Sequence, residues 1–320
     1  MLVGAAAAAF PDLDFITSYL SPLSYLYHHR GITHSILLLP LWTLLVAAIF
    51  VALWRGKPPW RAYGGIAAIG IASHIVGDLI TAFGTMIFAP FSDARYALSA
   101  TFIIDLWFSG IILAGLLACA IWRTSRVPAI AGVAVLAGYV GLQVVLQQRA
   151  IDFGEAYARD NGIARATVTA MPRPVSPFNW TVFVADASNY RYAHINLVRT
   201  TAPLAPDAST GFIARLDAAY RPLSDPHWLR AERYGSGAVT TELARAAFSH
   251  QDFRFFRWFA AYPAFLSTEA GNGGRCAWFH DLRFMTPGRD NIPFRYGMCR
   301  SESGAWRPYQ LVGDDRKPVH

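Results

Sequence analysis

Between residues 35 and 148 the chain carries almost no charge outside three short breaks. Four apolar runs fill that stretch: 35–54, 64–81, 102–122 and 128–148. Each is close to the ~20 residues that an α-helix needs to cross a bilayer. Backbone polar groups in hydrocarbon must be satisfied within the segment, so such runs are read as helices. Pro128 sits in a first turn, where its missing N–H does no harm. The composition agrees: 54% of the 320 residues are hydrophobic and 15% are charged, against about 25% charged in soluble domains. The expected fold is an α-helical integral membrane domain over residues 1–150, with four full spans and an N-terminal partial helix. A mostly β (α+β) extramembrane domain is expected over residues 151–320.

The opening "MLVGAAAAAF" has no basic n-region, and Pro11 and Asp12 follow at once, so it makes a poor signal peptide. Its ten residues reach half-way across a bilayer. It reads either as a short buried segment or as part of a helix that starts upstream.

Orientation follows from charge. The breaks 55–63 and 123–127 lie on one side and carry Arg55, Lys57, Arg61, Arg123 and Arg126 with no acid. The positive-inside rule puts them in the cytoplasm. Residues 28–35, residues 82–101 and the whole second half then face outward. The expected location is the bacterial inner membrane, multi-pass, with the C-terminal domain outside the cytoplasm. Cys276 and Cys299 fall in that outward domain, where a disulfide can form. Simple mirror counting about "TPGRDNI" does not set them opposite each other, and two buried thiols are the alternative.

Polar residues inside spans are costly and mark function. His74 and Asp78 are four residues apart, on one helix face that Thr81 continues. "HHRGITHS" (28–35) precedes the first span. On straight antiparallel helices Asp78 would lie ~9 Å below His34 at ~1.5 Å rise per residue, a gap that side chains and loop curvature can close. Asp12 and Asp14 end the N-terminal apolar segment, and Asp105 opens the third span at the same level. A cluster of carboxylates repels itself unless a cation sits among them. The expected metal ligands are Asp12, Asp14, His29, His34, His74 and Asp78. The candidate catalytic residues are Asp14, Arg30 and Asp105. Imidazole and carboxylate without cysteine suit a divalent metal, zinc first, with manganese or iron as alternatives, and one or two ions. Arg30 either pairs a carboxylate or holds a phosphate oxygen. Thr33 and Ser35 read as N-caps of the first span, and His28 as a solvent-facing loop residue.

"PDLDF" (11–15), "HRGITHS" (29–35), "SHIVGDLITAFGT" (73–85) and "PFSDARYALSATFIID" (90–105) occur in this order. Together they resemble the YdjM-like family of inner-membrane metal-dependent hydrolases over about residues 1–150. The resemblance implies a metal site with polar positions at Asp12, Asp14, His29, Arg30, Thr33, His34, His74, Asp78, Thr81, Gly84 and Asp105. The chain departs from the family pattern in lacking a polar Thr-His element at its start. It also has Ser99 where an acid is usual and Leu106 where proline is usual.

The second half reads as strands. Residues 180–198 alternate about "DASN", a hairpin signal, and residues 276–285, 293–300 and 305–312 form a meander. The aromatic run 250–265 is more helical and is expected in the core rather than at the bilayer interface. His194 and His280 show no ligand spacing. The net charge of +7 comes from scattered arginines, which favours membrane lipids or an anionic substrate and no nucleic acid. No phosphate loop, His-Glu-x-x-His or Gly-x-Ser-x-Gly motif is present.

The functional expectation is a membrane-bound metal-dependent hydrolase using metal-activated water at the outer membrane face, on a phosphoester or lipid. The alternative is a non-catalytic envelope protein, with a structural metal or ion-pair cluster and a partner-binding periplasmic domain. No protein partner is specified.

Overall fold

A computed structural model describes residues 2–54, 59–187, 189–207, 209–271, 274–289 and 291–319. Arg55 and Lys57, which carry part of the charge bias, lie outside these residues, as do Met1, Ser188 and Asp290. Two compact units divide between Ser99 and Ala100.

The first unit contains α1 (Leu2–Ala9), a 3-10 segment (Pro11–Tyr19), α2 (Pro22–His28), a 3-10 turn (Ile32–His34), α3 (Leu39–Trp54) and α4 (Trp60–Leu79). The alanine-rich opening is a short helix packed on α4. A Cβ at Gly70 would meet Ala7 Cβ at 3.0 Å and Gly4 O at 3.1 Å, so glycine there sets the close approach of the two helices. Ala7, Val46, Phe50, Tyr63, Ile71 and Ile75 are among the buried side chains of this core. Ser21 caps α2 by accepting from Ser24 N at 3.0 Å, with Pro22 in the first turn.

The first apolar run does not enter its helix at Ser35. Residues 35–38 form a turn, because Ser35 Oγ donates to Ala89 O at 2.6 Å and Ile36 N to Ile87 O at 3.0 Å. The expected capping role of Thr33 and Ser35 is thereby replaced. Thr33 bonds a carboxylate of the polar cluster, and Ser35 ties the loop after α4 to the loop before α3. The segment Pro22–His34 meets α3 at an 80° bend.

The second unit opens with α5 (Leu106–Ile121) and α6 (Val127–Asp160). Asp105 caps α5 through hydrogen bonds from Trp107 N and Phe108 N, both 2.9 Å. By length and composition α4 and α6 can cross a membrane, and the bent pair ending in α3 can supply a third span. α5, at 16 residues, is apolar but short. Among the described residues the candidate spans therefore number two or three, where four were expected.

After α6 come two five-stranded sheets. One contains β1 (Thr167–Pro172), β2 (Asn179–Ala185), β3 (Asn189–Asn196), β4 (Arg221–Pro222) and β5 (Trp228–Glu232), with α7 (Phe212–Asp217) before β4. The hairpin expected about "DASN" is β2–β3, antiparallel, with Ala185 opposite Tyr190. The C-terminal part of α6 lies on this sheet: Leu146 and Ala150 share a core with Trp180, Val182 and Ile195. A Cβ at Gly154 would meet Val182 Cγ1 at 2.5 Å, so this glycine lets the helix seat. That packing explains why the compact unit begins well before residue 151.

The other sheet is a meander in the order β10-β9-β8-β7-β6. Its strands are β6 (Pro263–Gly271), β7 (Gly274–Asp281), β8 (Arg295–Arg300), β9 (Trp306–Val312) and β10 (Asp315–Pro318), preceded by α8 (Ala238–Ser249) and α9 (Arg254–Phe259). The aromatic run fills the core, with Phe253, Phe255, Phe256 and Phe259 buried. Cys276 and Cys299 stand directly opposite each other on β7 and β8 and form a disulfide. Mirror counting missed this because the 3-10 turn Leu282–Phe284 takes up residues between the strands.

Candidate metal centre

Four side chains from three segments converge in the first unit. Asp12 comes from the 3-10 segment after α1, His34 from the turn before α3, and His74 and Asp78 from one face of α4. Their ligand atoms all lie within 4.8 Å of one another. His34 Nε2 is 2.9 Å from Asp78 Oδ2, 3.2 Å from His74 Nε2 and 3.8 Å from Asp12 Oδ1. His74 Nε2 is 3.4 Å from Asp12 Oδ1 and 3.6 Å from Asp78 Oδ2. Ligands about 2.0–2.1 Å from a central zinc in a tetrahedron stand about 3.3–3.4 Å apart. The observed spacings scatter around that value. The depth gap expected on straight helices is closed because His34 sits on the bent segment rather than at the head of a straight span.

The hydrogen bonds around the cluster decide what its inner atoms present. Thr33 Oγ1 donates to Asp14 Oδ2 at 2.9 Å. With that proton committed, His34 Nδ1 is the donor toward Thr33 Oγ1 (3.0 Å) and Asp14 Oδ2 (3.2 Å). In the neutral ring His34 Nε2 therefore presents its lone pair to the cluster. Asp78 Oδ2 is buried and accepts no hydrogen bond among the described residues, although His34 Nε2 is 2.9 Å away. With a neutral His34 both atoms are acceptors and a cation between them satisfies the contact; a proton on Nε2, forming an ion pair with Asp78, satisfies it equally. His34 is fully buried, whereas the Asp12 side chain is 58% exposed and marks the open side.

A second layer holds the first. Asp14 is buried and spends both oxygens. Oδ1 accepts from His29 Nδ1 at 2.8 Å, and Oδ2 accepts from Arg30 N at 2.9 Å as well as from Thr33 and His34. Burial opposes its ionisation, but the hydrogen bonds from His29 and His34 outweigh burial and hold the carboxyl well below its usual range. At Asp12 the hydrogen bond from His74 leads and likewise lowers the carboxyl. Arg30 has a left-handed backbone, φ 60°. That conformation lets its N–H reach Asp14 while its carbonyl accepts from Met86 N at 2.9 Å. Its buried guanidinium grips Asp78 Oδ1 at 3.0 Å and Thr81 Oγ1 at 2.8 Å. One Asp78 oxygen is thus held by Arg30 and the other is left to the cluster, an outer shell of the kind that orients metal ligands.

All six expected ligands lie in two overlapping groups, for Asp12, Asp14 and His29 form the second. Arg30 takes the first of its two expected roles, pairing a carboxylate. Asp105 belongs to the other unit, where the α5 backbone and the Tyr139 hydroxyl, at 2.7 Å, engage its oxygens. His28 is exposed and bonded to Ser24 O at 2.8 Å. Two neighbours went unread in the sequence. Tyr25 stacks on the His29 ring with centroids 4.6 Å apart, and its position one helical turn earlier was the available signal. Arg95 bonds Gly84 O and His29 O at 3.0 and 3.2 Å, holding the loop of "PFSDARY" against "HHRG". Gly84 has φ +92°, and a Cβ there would press on Arg95.

Comparison with known proteins gives the wider context. Residues 1–150 match the YdjM inner membrane protein family. The matched segment holds every residue of both candidate groups, and helices long and apolar enough to cross a membrane lie in it or begin there. The chain is also 27% identical over 161 residues to the uncharacterized protein YfhP of Bacillus subtilis (strain 168), covering 47% of this chain and 45% of that protein. The match thus spans less than half the length of that curated relative. No solved structure matches.

Proposed function

We propose that the protein is a membrane-bound metal-dependent hydrolase whose cation is held by Asp12, His34, His74 and Asp78. The observation that carries this reading is the convergence of these four side chains, whose ligand atoms all lie within 4.8 Å of one another. A divalent cation in such a site activates water and polarises the bond to be cleaved. The chain's own residues do the rest. Asp14 fixes the tautomer and direction of His34. Arg30 holds and aims Asp78. Asp12, on the exposed side, leaves a face of the cluster open, as a catalytic site requires and a closed structural site does not. Asp12, Asp14 and His29 offer a place for a second ion.

Zinc suits the donor set best, and the substrate class is a phosphoester or a lipid. The bilayer location supports a lipid. A disulfide between Cys276 and Cys299 supports a β domain outside the cytoplasm, because disulfides persist in oxidising compartments.

The test is elemental analysis of detergent-purified protein, followed by hydrolysis assays on phosphomonoesters, phosphodiesters and acyl lipids with added metals. Bound zinc or manganese together with metal-dependent turnover is expected. Stoichiometric metal without turnover on any substrate class would favour a structural centre.

A further inference from the structure

The second unit holds a pocket with no part in the reading above. It measures about 480 Å³, and Tyr192, His194, Arg221 and His227 line it, with Leu229 and Met285 among its apolar walls. Among the described residues no carboxylate lines it. Asp225, close by, is bonded to the Arg221 guanidinium.

Beside His194, Arg173 is buried with 4% exposure. Its Nε donates to Thr181 Oγ1 at 2.6 Å and its Nη1 to Arg283 O at 3.0 Å. Its Nη2 has no hydrogen-bond partner among the described residues. The charge of Asp281 reaches Arg173, but that carboxylate is spent on Arg283 Nε at 2.7 Å. The Tyr220 hydroxyl, also buried, has no partner either. A buried guanidinium without a contacting counter-ion is costly.

The hydrogen-bond chain carries that charge toward the pocket. Thr181 is fully buried and its oxygen accepts from Arg173, so its proton goes to His194 Nδ1 at 2.8 Å. The opposite direction would leave a buried hydroxyl proton unspent. His194 Nδ1 is therefore the acceptor and Nε2 carries the hydrogen. Burial first, then the charges of Arg173 and His227, hold this imidazole down to about 3, so it is a neutral donor at physiological pH.

We propose that this pocket binds an oxyanion, a phosphate or carboxylate group on a ligand with a short apolar flank, with His194 Nε2–H as its central donor. His227 and Arg221 receive the ligand from the polar side of the pocket. Thr181 links the bound group to Arg173, whose charge the anion offsets.

The test is calorimetric titration of the full chain in detergent with inorganic phosphate and, separately, acetate. Saturable binding of at least one is expected, and the tighter of the two tells phosphate from carboxylate. His194→Phe weakens it at least tenfold, while His194→Gln, which keeps an N–H donor, stays within about threefold of the parent. His227→Ala weakens it measurably without a folding risk, since His227 is exposed. Asp12→Ala with His74→Ala leaves it unchanged, which separates this pocket from anion capture by a metal in the other unit. Absence of saturable binding of either anion would overturn the proposal. So would undiminished binding in a folded His194→Phe protein, or binding lost with the Asp12 and His74 variant.

Discussion

The two units each bury a knot of polar side chains, and the knots are opposite in sign. Around His34 the candidate ligand atoms face one another, two imidazole nitrogens and two carboxylate oxygens, and His34 Nδ1 is turned outward to Asp14 and Thr33. Around His194 the arrangement is reversed. His194 lines the pocket, its Nδ1 is turned to Thr181, and a guanidinium stands behind. The same residue type thus serves two ends according to which ring nitrogen its neighbour holds. An imidazole whose Nδ1–H is given to a carboxylate is prepared for a cation. One whose Nδ1 accepts from a hydroxyl is prepared for an anion or an oxygen ligand.

That contrast can be broken most decisively at α4. His74→Ala with Asp78→Ala should reduce bound metal, read by elemental analysis, from near one equivalent to background. The melting of the β domain should not move. Metal content that stays at the parental level would remove the proposed centre.

Cys276→Ser with Cys299→Ser tests the other unit alone. Opening a loop of 23 residues' separation should cost the β domain about 3 kcal/mol, measured by denaturant melts, with metal content unchanged. Loss of metal in this variant would show that the two units are not independent.

Asp14→Asn keeps the first-layer ligands and degrades their orientation. A 10–100-fold loss of metal affinity is expected, measured by competition with a chelating dye. An effect below threefold would mean that His34 needs no carboxylate behind it.

The smallest effect is on pH. The buried His194 has its proton affinity depressed to about 3, so the unfolded chain binds the extra proton first. The stability it contributes is present above its ordinary value near 6.5 and is lost as pH falls toward 3. Between pH 7.5 and 5.5 the β domain should lose about 1.4 kcal/mol from this group, and His194→Gln should flatten that part of the profile.

The candidate cluster was legible because its chemistry is expensive in a membrane. His74 and Asp78 are conspicuous at one-turn spacing in an apolar helix, and "PDLDF" and "HRGITHS" supplied the remainder. The division of labour was not legible. Nothing in the spacing told that Asp14 would saturate its oxygens on four donors while Asp12 stayed open, because that depends on the left-handed backbone at Arg30 and on the bend before α3. The start of the first apolar helix was misplaced by four residues for the same reason. Ser35 found carbonyl partners on a loop some fifty residues away, and those outweighed a local cap. The hairpin and meander were readable from alternation, but the register that joins Cys276 to Cys299 depended on a 3-10 turn that carries no alternation signal. The His194 pocket gave no warning at all, since its lining comes from β3, β4, β5 and the loops around residues 203–205, 218–219 and 285–287.

α6 has 34 residues and no proline beyond its first turn, so it is about 51 Å of unbroken rod. Hydrocarbon about 30 Å thick takes up little more than half of it. If α6 crosses a bilayer, some 20 Å would stand clear of the lipid, and Gly154, near its C-terminal end, seats against Val182 of the sheet. Such a rod works as a lever arm. A 10° change in tilt, of the size that bilayer thickness imposes, would carry a point 20 Å out sideways by about 3.5 Å. With α6 in a bilayer, lipid composition would then reach the β1–β5 sheet mechanically through this helix.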